Sequence, residues 1–123
     1  MAVKPQYLAY ILEQLEGVGD VTSRRMFSGV GLYSQGLFFA LIHDDTLYFK
    51  TDASNNAAYQ ARNMPRFMPP VNRPMGPMGY HQVPADIIED AESLVAWARQ
   101  AVAVALAARA AKKAKPRRAR KPR

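Results

Sequence analysis

The sequence predicts an α+β fold, in which an antiparallel β-sheet of meander order is flanked by N-terminal and C-terminal helices. Three observations carry this reading. Leu8, Ile11, Leu12 and Leu15 recur at the spacing of one helical face. Between residues 22 and 50, short apolar runs alternate with tight polar turns, too close together for crossover connections. From Leu94 onward, Trp97, Ala98, Ala101, Val102 and Ala105 return to a helical stripe.

Each element follows from local chemistry. Gly17-Val18-Gly19-Asp20 stops the first helix, and residues 22–27 can run extended up to Ser28-Gly29. Val30-Gly31-Leu32-Tyr33 is a second strand, closed by the turn Ser34-Gln35-Gly36. The unbroken apolar run Leu37 to Ile42 has the length of a buried central strand, and Leu47-Tyr48-Phe49-Lys50 follows the polar turn His43-Asp44-Asp45-Thr46. Asp52 or Ser54 is placed to cap a short helix over residues 55–62. Five of the nine prolines then fall within residues 64–78, which excludes a helix or a central strand there. Residues 79–83 form a last strand, ended by Pro84, and Asp90 is a suitable cap for the closing helix. Alanine favours helix even with nothing to bury, so this helix is expected to project a turn or two past residue 107, before Lys115-Pro116 ends it.

Charge divides the chain. Residues 1–108 carry eight Lys/Arg against ten Asp/Glu, a net of −2, whereas residues 109–123 carry nine Lys/Arg and no acid. The whole formal charge of +7 therefore lives in the last fifteen residues. We divide the chain accordingly into a folded domain at 1–108 and a basic tail at 109–123, expected to be disordered because like charges repel and nothing apolar remains. With 49% apolar residues the domain can build a core, and with no cysteine it has neither disulfides nor thiolate metal sites. The N-terminus lacks the apolar stretch of a secretion signal, and Leu94 to Ala108, interrupted by Arg99, is shorter than a bilayer span. A cytoplasmic protein without a membrane partner is the expectation.

The search for catalytic chemistry comes back empty. A zinc site would need His43, Asp44, Asp45 and His81 to converge, and each is better explained as a turn or strand residue. Ser28, Ser34 and Ser93 do not sit in a strand–turn–helix elbow that would expose a nucleophile. Glu89 and Asp90 lie where a helix dipole favours carboxylates. Ser28-Gly29-Val30-Gly31 leads into a strand rather than a helix N-terminus, so it lacks the geometry of a phosphate loop, and a sharp connection or bulge explains its glycines. Met64, Met68, Met75 and Met78 either fill the core edge or form an adaptable partner surface. Neither an enzyme nor a bound cofactor or metal is expected.

Function is carried more strongly by the tail. Lys112, Lys113, Lys115, Arg117, Arg118, Arg120, Lys121 and Arg123, spaced by Ala and Pro, have the composition of an arm that contacts DNA or RNA phosphates without reading bases. The tail has no aromatic residue, so nothing in it supports stacking on single strands. A solubilising extension is the plainer reading of the same residues.

Arg24-Arg25-Met26-Phe27-Ser28-Gly29-Val30-Gly31-Leu32-Tyr33 resembles the R-R-M-F-G-G-x-G-x-Y signature of the TfoX/Sxy N-terminal domain, with Ser28 where glycine is common. The resemblance continues through residues 39–42, 47–50, 80–84 and 94–98. It identifies Arg24, Arg25, Met26, Phe27, Gly29, Gly31 and Tyr33 as the family motif and implies a compact α+β domain. It also implies a role in regulating competence genes by assisting a transcription activator. Full-length members carry a second, C-terminal domain, and here the basic tail stands in its place. The combined expectation is a non-enzymatic regulatory protein with a protein partner and a nucleic-acid-contacting tail. The alternatives are a small-molecule or peptide binding domain, with Arg24 or Arg25, Tyr33, His81 and Met78 lining its pocket, and a homodimerisation unit.

Overall fold

The computed structural model describes residues 3–26, 29–67 and 79–114. Helix α1 (Pro5–Gln14) opens with proline in its first turn, where the missing N–H costs nothing. Its stripe buries Ile11 and Leu15 completely and half-buries Leu8 and Leu12. A single 3-10 turn (Glu16–Val18) leads into strand β1 (Val21–Met26), followed by β2 (Gly29–Ser34), β3 (Leu37–His43) and β4 (Thr46–Thr51). After the short helix α2 (Asn56–Ala61) come β5 (Gly79–Gln82), helix α3 (Ala85–Glu89) and the long helix α4 (Ala91–Ala114).

The five strands lie in chain order, β1-β2-β3-β4-β5, with every neighbour antiparallel, which is the meander expected. Two tight turns set the register. Gln35 and Gly36 take φ of +51° and +80°, and Asp44 and Asp45 take +55° and +54°. Two successive left-handed residues match the twist of the flanking strands, a conformation that Gly and Asp tolerate better than most. A bulge interrupts the β2–β3 ladder: Leu32 pairs with Ala40 and Tyr33 with Phe38, leaving Phe39 the extra residue.

One face of the sheet carries the core. Val30, Leu32, Phe39, Ala40, Ile42, Leu47 and Phe49 pack with Leu94, Ala98, Ala101 and Ala105 of α4, with α1 closing the side. The side chain of Arg99 bridges back to the 3-10 turn, donating to the Gly17 carbonyl at 2.8 Å, and Gln14 of α1 donates to the Ile88 carbonyl at 2.8 Å. Burying this face removes several large aliphatic and aromatic side chains from water, each contributing about 1.5–3 kcal/mol.

Some local expectations change. Helix α2 has Asn55, not Asp52 or Ser54, at its N-cap position. Asp52 instead organises the preceding turn, accepting from the backbone N–H and hydroxyl of Ser54 at 2.8 and 2.6 Å. The five-residue helix α3 intervenes between Pro84 and the closing helix, so Glu89 ends one helix and Asp90 precedes the next. Asp90 still serves α4, its carbonyl accepting from Leu94 N–H and its carboxylate from the Ser93 hydroxyl at 2.6 Å. The glycines of the Ser28-Gly29-Val30-Gly31 run lie within β2 rather than at a bulge, and the bulge falls farther along the strand.

Helix α4 runs to Ala114, the projection that the alanine run predicts, so residues 109–114 of the basic segment are helical. Residues 115–123 lie outside the described residues. Over Ala91–Lys112 the helix is long and apolar enough to cross a bilayer by length and composition, contrary to the shorter span expected. Its fully buried Leu94, Ala98 and Ala101 show that it serves as the core helix of this sheet.

Candidate functional site

The face of the sheet turned away from α4 carries the family motif. In β1, register places Arg24 opposite Gly31 and Met26 opposite Gly29, while Arg25 pairs with Val30 and projects to the other side. The two arginines therefore belong to different surfaces, as alternation requires. Both are exposed, on the edge strand of the sheet.

Glycine in β2 answers to close packing. A methyl group on Gly31 would meet Met26 Cε at 2.7 Å and Phe38 Cε1 at 2.9 Å, and one on Gly29 would meet the Ile42 carbonyl oxygen at 2.5 Å. Gly31 lets Met26 and Phe38 close over the sheet, and Gly29 lets β2 lie close to the β3 backbone. Phe27 lies outside the described residues.

Aromatic rings and cations form the surface beyond the glycines. Tyr33 stacks on Phe38, centroids 5.1 Å apart and planes 28° from parallel, and Phe38 meets Tyr80 at 5.8 Å. Two cations lie over rings of this row, Arg24 from the edge strand β1 and Lys50 from β4, between the strands of Phe38 and Tyr80. The Arg24 guanidinium lies 5.8 Å from the Tyr33 centroid and the Lys50 ammonium 5.0 Å from that of Tyr80. Lys50 Nζ also donates weakly to the Tyr80 hydroxyl at 3.5 Å. Among the described residues Lys50 makes no ion pair. Burial pushes its ammonium below the ordinary lysine range, and the charge of Asp52 only partly restores it. Tyr80 is buried, and burial, with a smaller contribution from Tyr33, raises its hydroxyl to about 12. Tyr33 and Phe38 are half-buried and Arg24 is exposed.

A second aromatic group lies farther along the same face. Phe67 meets Tyr48 edge-on at 4.9 Å and His43 at 5.5 Å. Burial and the nearby Asp44 carboxylate raise the Tyr48 hydroxyl, so negative charge faces this end.

The two histidines separate. His43 belongs to the aromatic face, whereas His81 is buried opposite Phe49 on the helix side, its Nδ1 2.7 Å from the Thr51 hydroxyl. Burial, then the Arg66 charge, holds His81 below the ordinary histidine range. Among the described residues, no three of His, Asp and Glu gather as a metal site would need. His81 also cannot share a pocket wall with Arg24 and Tyr33, which corrects the pocket lining expected from sequence; Met78 lies outside the described residues.

Of the basic segment, Arg109 and Lys112 are exposed on the projecting end of α4, and Lys113 is helical. Lys115, Arg117, Arg118, Arg120, Lys121 and Arg123 lie outside the described residues. Sequence reasoning missed Phe38, Lys50 and Tyr80. The usable signal was alternation: Tyr48 and Lys50 alternate with buried Leu47 and Phe49, which marks a strand with a second, non-core face.

No curated protein matches the chain. A family model described as the TfoX N-terminal domain matches residues 13–105, from the last turn of α1 to the last core residue of α4. With Gly31 of the signature packed beneath Met26 and Phe38, Gly29 packed against the backbone of β3, and the match spanning the entire sheet, the chain belongs to the TfoX N-terminal domain family.

Proposed function

We propose that the protein is a non-enzymatic regulatory protein of the TfoX type, acting in the cytoplasm, in which the domain docks a protein partner such as a transcription activator. The basic segment adds sequence-independent affinity for DNA or RNA. The observation that carries this reading is the separation of charge. The domain is net −2, and Ala105 is the last residue of the core, so α4 continues nine residues, or about 13 Å, beyond it. That extension holds cations away from an acidic body, which favours phosphate contact by an arm over binding by the body. Family membership supports the regulatory part of the reading.

The test is DNA binding by the intact chain and by a chain ending at Ala108, which keeps every core residue of α4. With nine cations in the segment, the logarithm of affinity falls against the logarithm of salt with a slope reaching about −8 if all meet phosphates. Truncation should remove both the binding and its salt dependence. Equal binding by the two chains overturns the reading.

A further inference from the structure

We propose that the aromatic row of Tyr33, Phe38 and Tyr80, with Arg24 over Tyr33 and Lys50 over Tyr80, is a stacking platform for single-stranded nucleic acid. The proposal deepens the reading above and rests on it, since the tail supplies the general phosphate affinity. A tail without aromatic residues cannot distinguish single strands from duplex by stacking. The sheet face can. Bases of a single strand expose π-faces that a duplex keeps paired and stacked, and aromatic side chains on an open sheet are a recurring solution to binding them.

The geometry assigns a role to each residue. Tyr33 and Phe38 are half-buried, each keeping part of its ring in solvent, and are held side by side by their own stacking, so they are ordered before any base arrives. Tyr80, buried behind Phe38, fixes that ring. Arg24 rests over Tyr33 at 5.8 Å, a loose exposed contact, so a base can take its place on the ring while the guanidinium moves to a phosphate. Lys50 is partly desolvated, and although the Asp52 charge acts on it, no carboxylate pairs with it among the described residues, so an arriving phosphate supplies the direct contact that its ammonium lacks. Charge also sets the limits of the platform. The group of His43, Tyr48 and Phe67 lies beside Asp44, whose carboxylate opposes a phosphate backbone, so the strand is placed on the rings that Arg24 and Lys50 overlie.

The experiment uses the full chain. Fluorescence anisotropy compares a labelled fifteen-nucleotide oligothymidine with a duplex of the same length at two salt concentrations. The native chain should prefer the single strand by at least about fivefold, the low end of one stacked base. The double variant Tyr33→Leu, Phe38→Leu keeps apolar bulk and should lose that preference while holding the duplex as before. Arg24→Gln changes an exposed residue of the edge strand outside the core, and should weaken single-strand binding severalfold and flatten its salt dependence. Circular dichroism and melting temperature confirm that each variant is folded. No single-strand preference in the native chain, or a preference that all variants retain, overturns the platform and leaves the tail reading standing. Undiminished binding of both nucleic acids by a chain ending at Ala108 overturns the tail reading instead. Absence of binding to either nucleic acid overturns both.

Discussion

Gly29→Ala should destabilise the domain considerably more than Gly31→Ala, although both change the same motif by one methyl group. The difference lies in what each methyl would meet. At Gly29 it falls 2.5 Å from the Ile42 carbonyl oxygen, about an ångström inside the 3.4 Å at which ordinary contact begins. That oxygen belongs to β3, which is held by ladders on both sides and cannot retreat without straining one of them. Overpacking of this kind costs about 1–3 kcal/mol, with the upper half expected against backbone. Replacing a strand glycine by alanine returns roughly 0.5–1 kcal/mol of backbone entropy. The net loss is about 1–2 kcal/mol, or roughly 5–15 °C in melting temperature for a domain of this size. At Gly31 the obstacles are Met26 Cε, the flexible end of a side chain, and Phe38 Cε1, the edge of a half-buried ring that has to shift against Tyr33 and Tyr80. The cost is therefore smaller than against backbone, and the net loss stays under about 1 kcal/mol. Urea denaturation followed by circular dichroism and by the fluorescence of Trp97, the one tryptophan, measures both variants. Unchanged m-values would confirm that the same structure unfolds. If Gly31→Ala loses as much as Gly29→Ala, or Gly29→Ala loses nothing, then packing is not why the motif holds these glycines.

Two further predictions concern the buried polar residues beside α4. The Tyr59 hydroxyl is buried without a hydrogen-bond partner among the described residues, and burial raises its pKa. Tyr59→Phe keeps the edge-on contact with Trp97 at 4.8 Å, so stability should hold or rise by up to about 1 kcal/mol in the same urea assay; a larger loss would reveal a partner for the hydroxyl. His81 is held neutral by burial and by Arg66, so the unfolded chain takes up a proton at higher pH, near about 6.5, than the folded one does. Its contribution to stability is therefore complete above that pH and declines as pH falls toward the lower folded value. Melting temperatures between pH 8 and pH 5 should show this decline, with a shallower slope in His81→Gln; equal slopes would refute it.

The strands and long helices were legible because each has a period and a stop signal. The meander followed from turns only two residues long, and the projecting helix from alanine continuing past the last large apolar residue. Helix α3 was not legible, since five residues after a proline leave no room for a helical period to register. The aromatic face was hidden for two reasons. Phe38 stands inside an unbroken apolar run, and the bulge at Phe39 shifts the alternation that would have shown which rings face outward. Lys50 and Tyr80 are thirty residues apart in the chain and meet only because β4 pairs with β5. No local spacing rule connects them. The motif residues were recognisable as a string, but their reason, a close-packed floor under Met26 and Phe38, exists only once β1, β2 and β3 are aligned.

The order of elements along α4 also bears on how the chain matures. A meander pairs each strand with the one made just before it, so the sheet can assemble early and from local contacts. Its core face nevertheless waits for Leu94, Ala98 and Ala101, which are synthesised last among the core residues along with Ala105. During translation Phe39, Ile42 and Phe49 are therefore left facing water, a window in which a nascent chain is prone to aggregate. The residues that immediately follow this final piece of core are the nine cations of the C-terminal segment. Like charge beside an aggregation-prone surface opposes association between chains, so the charge that follows the core is placed where the apolar face is longest exposed.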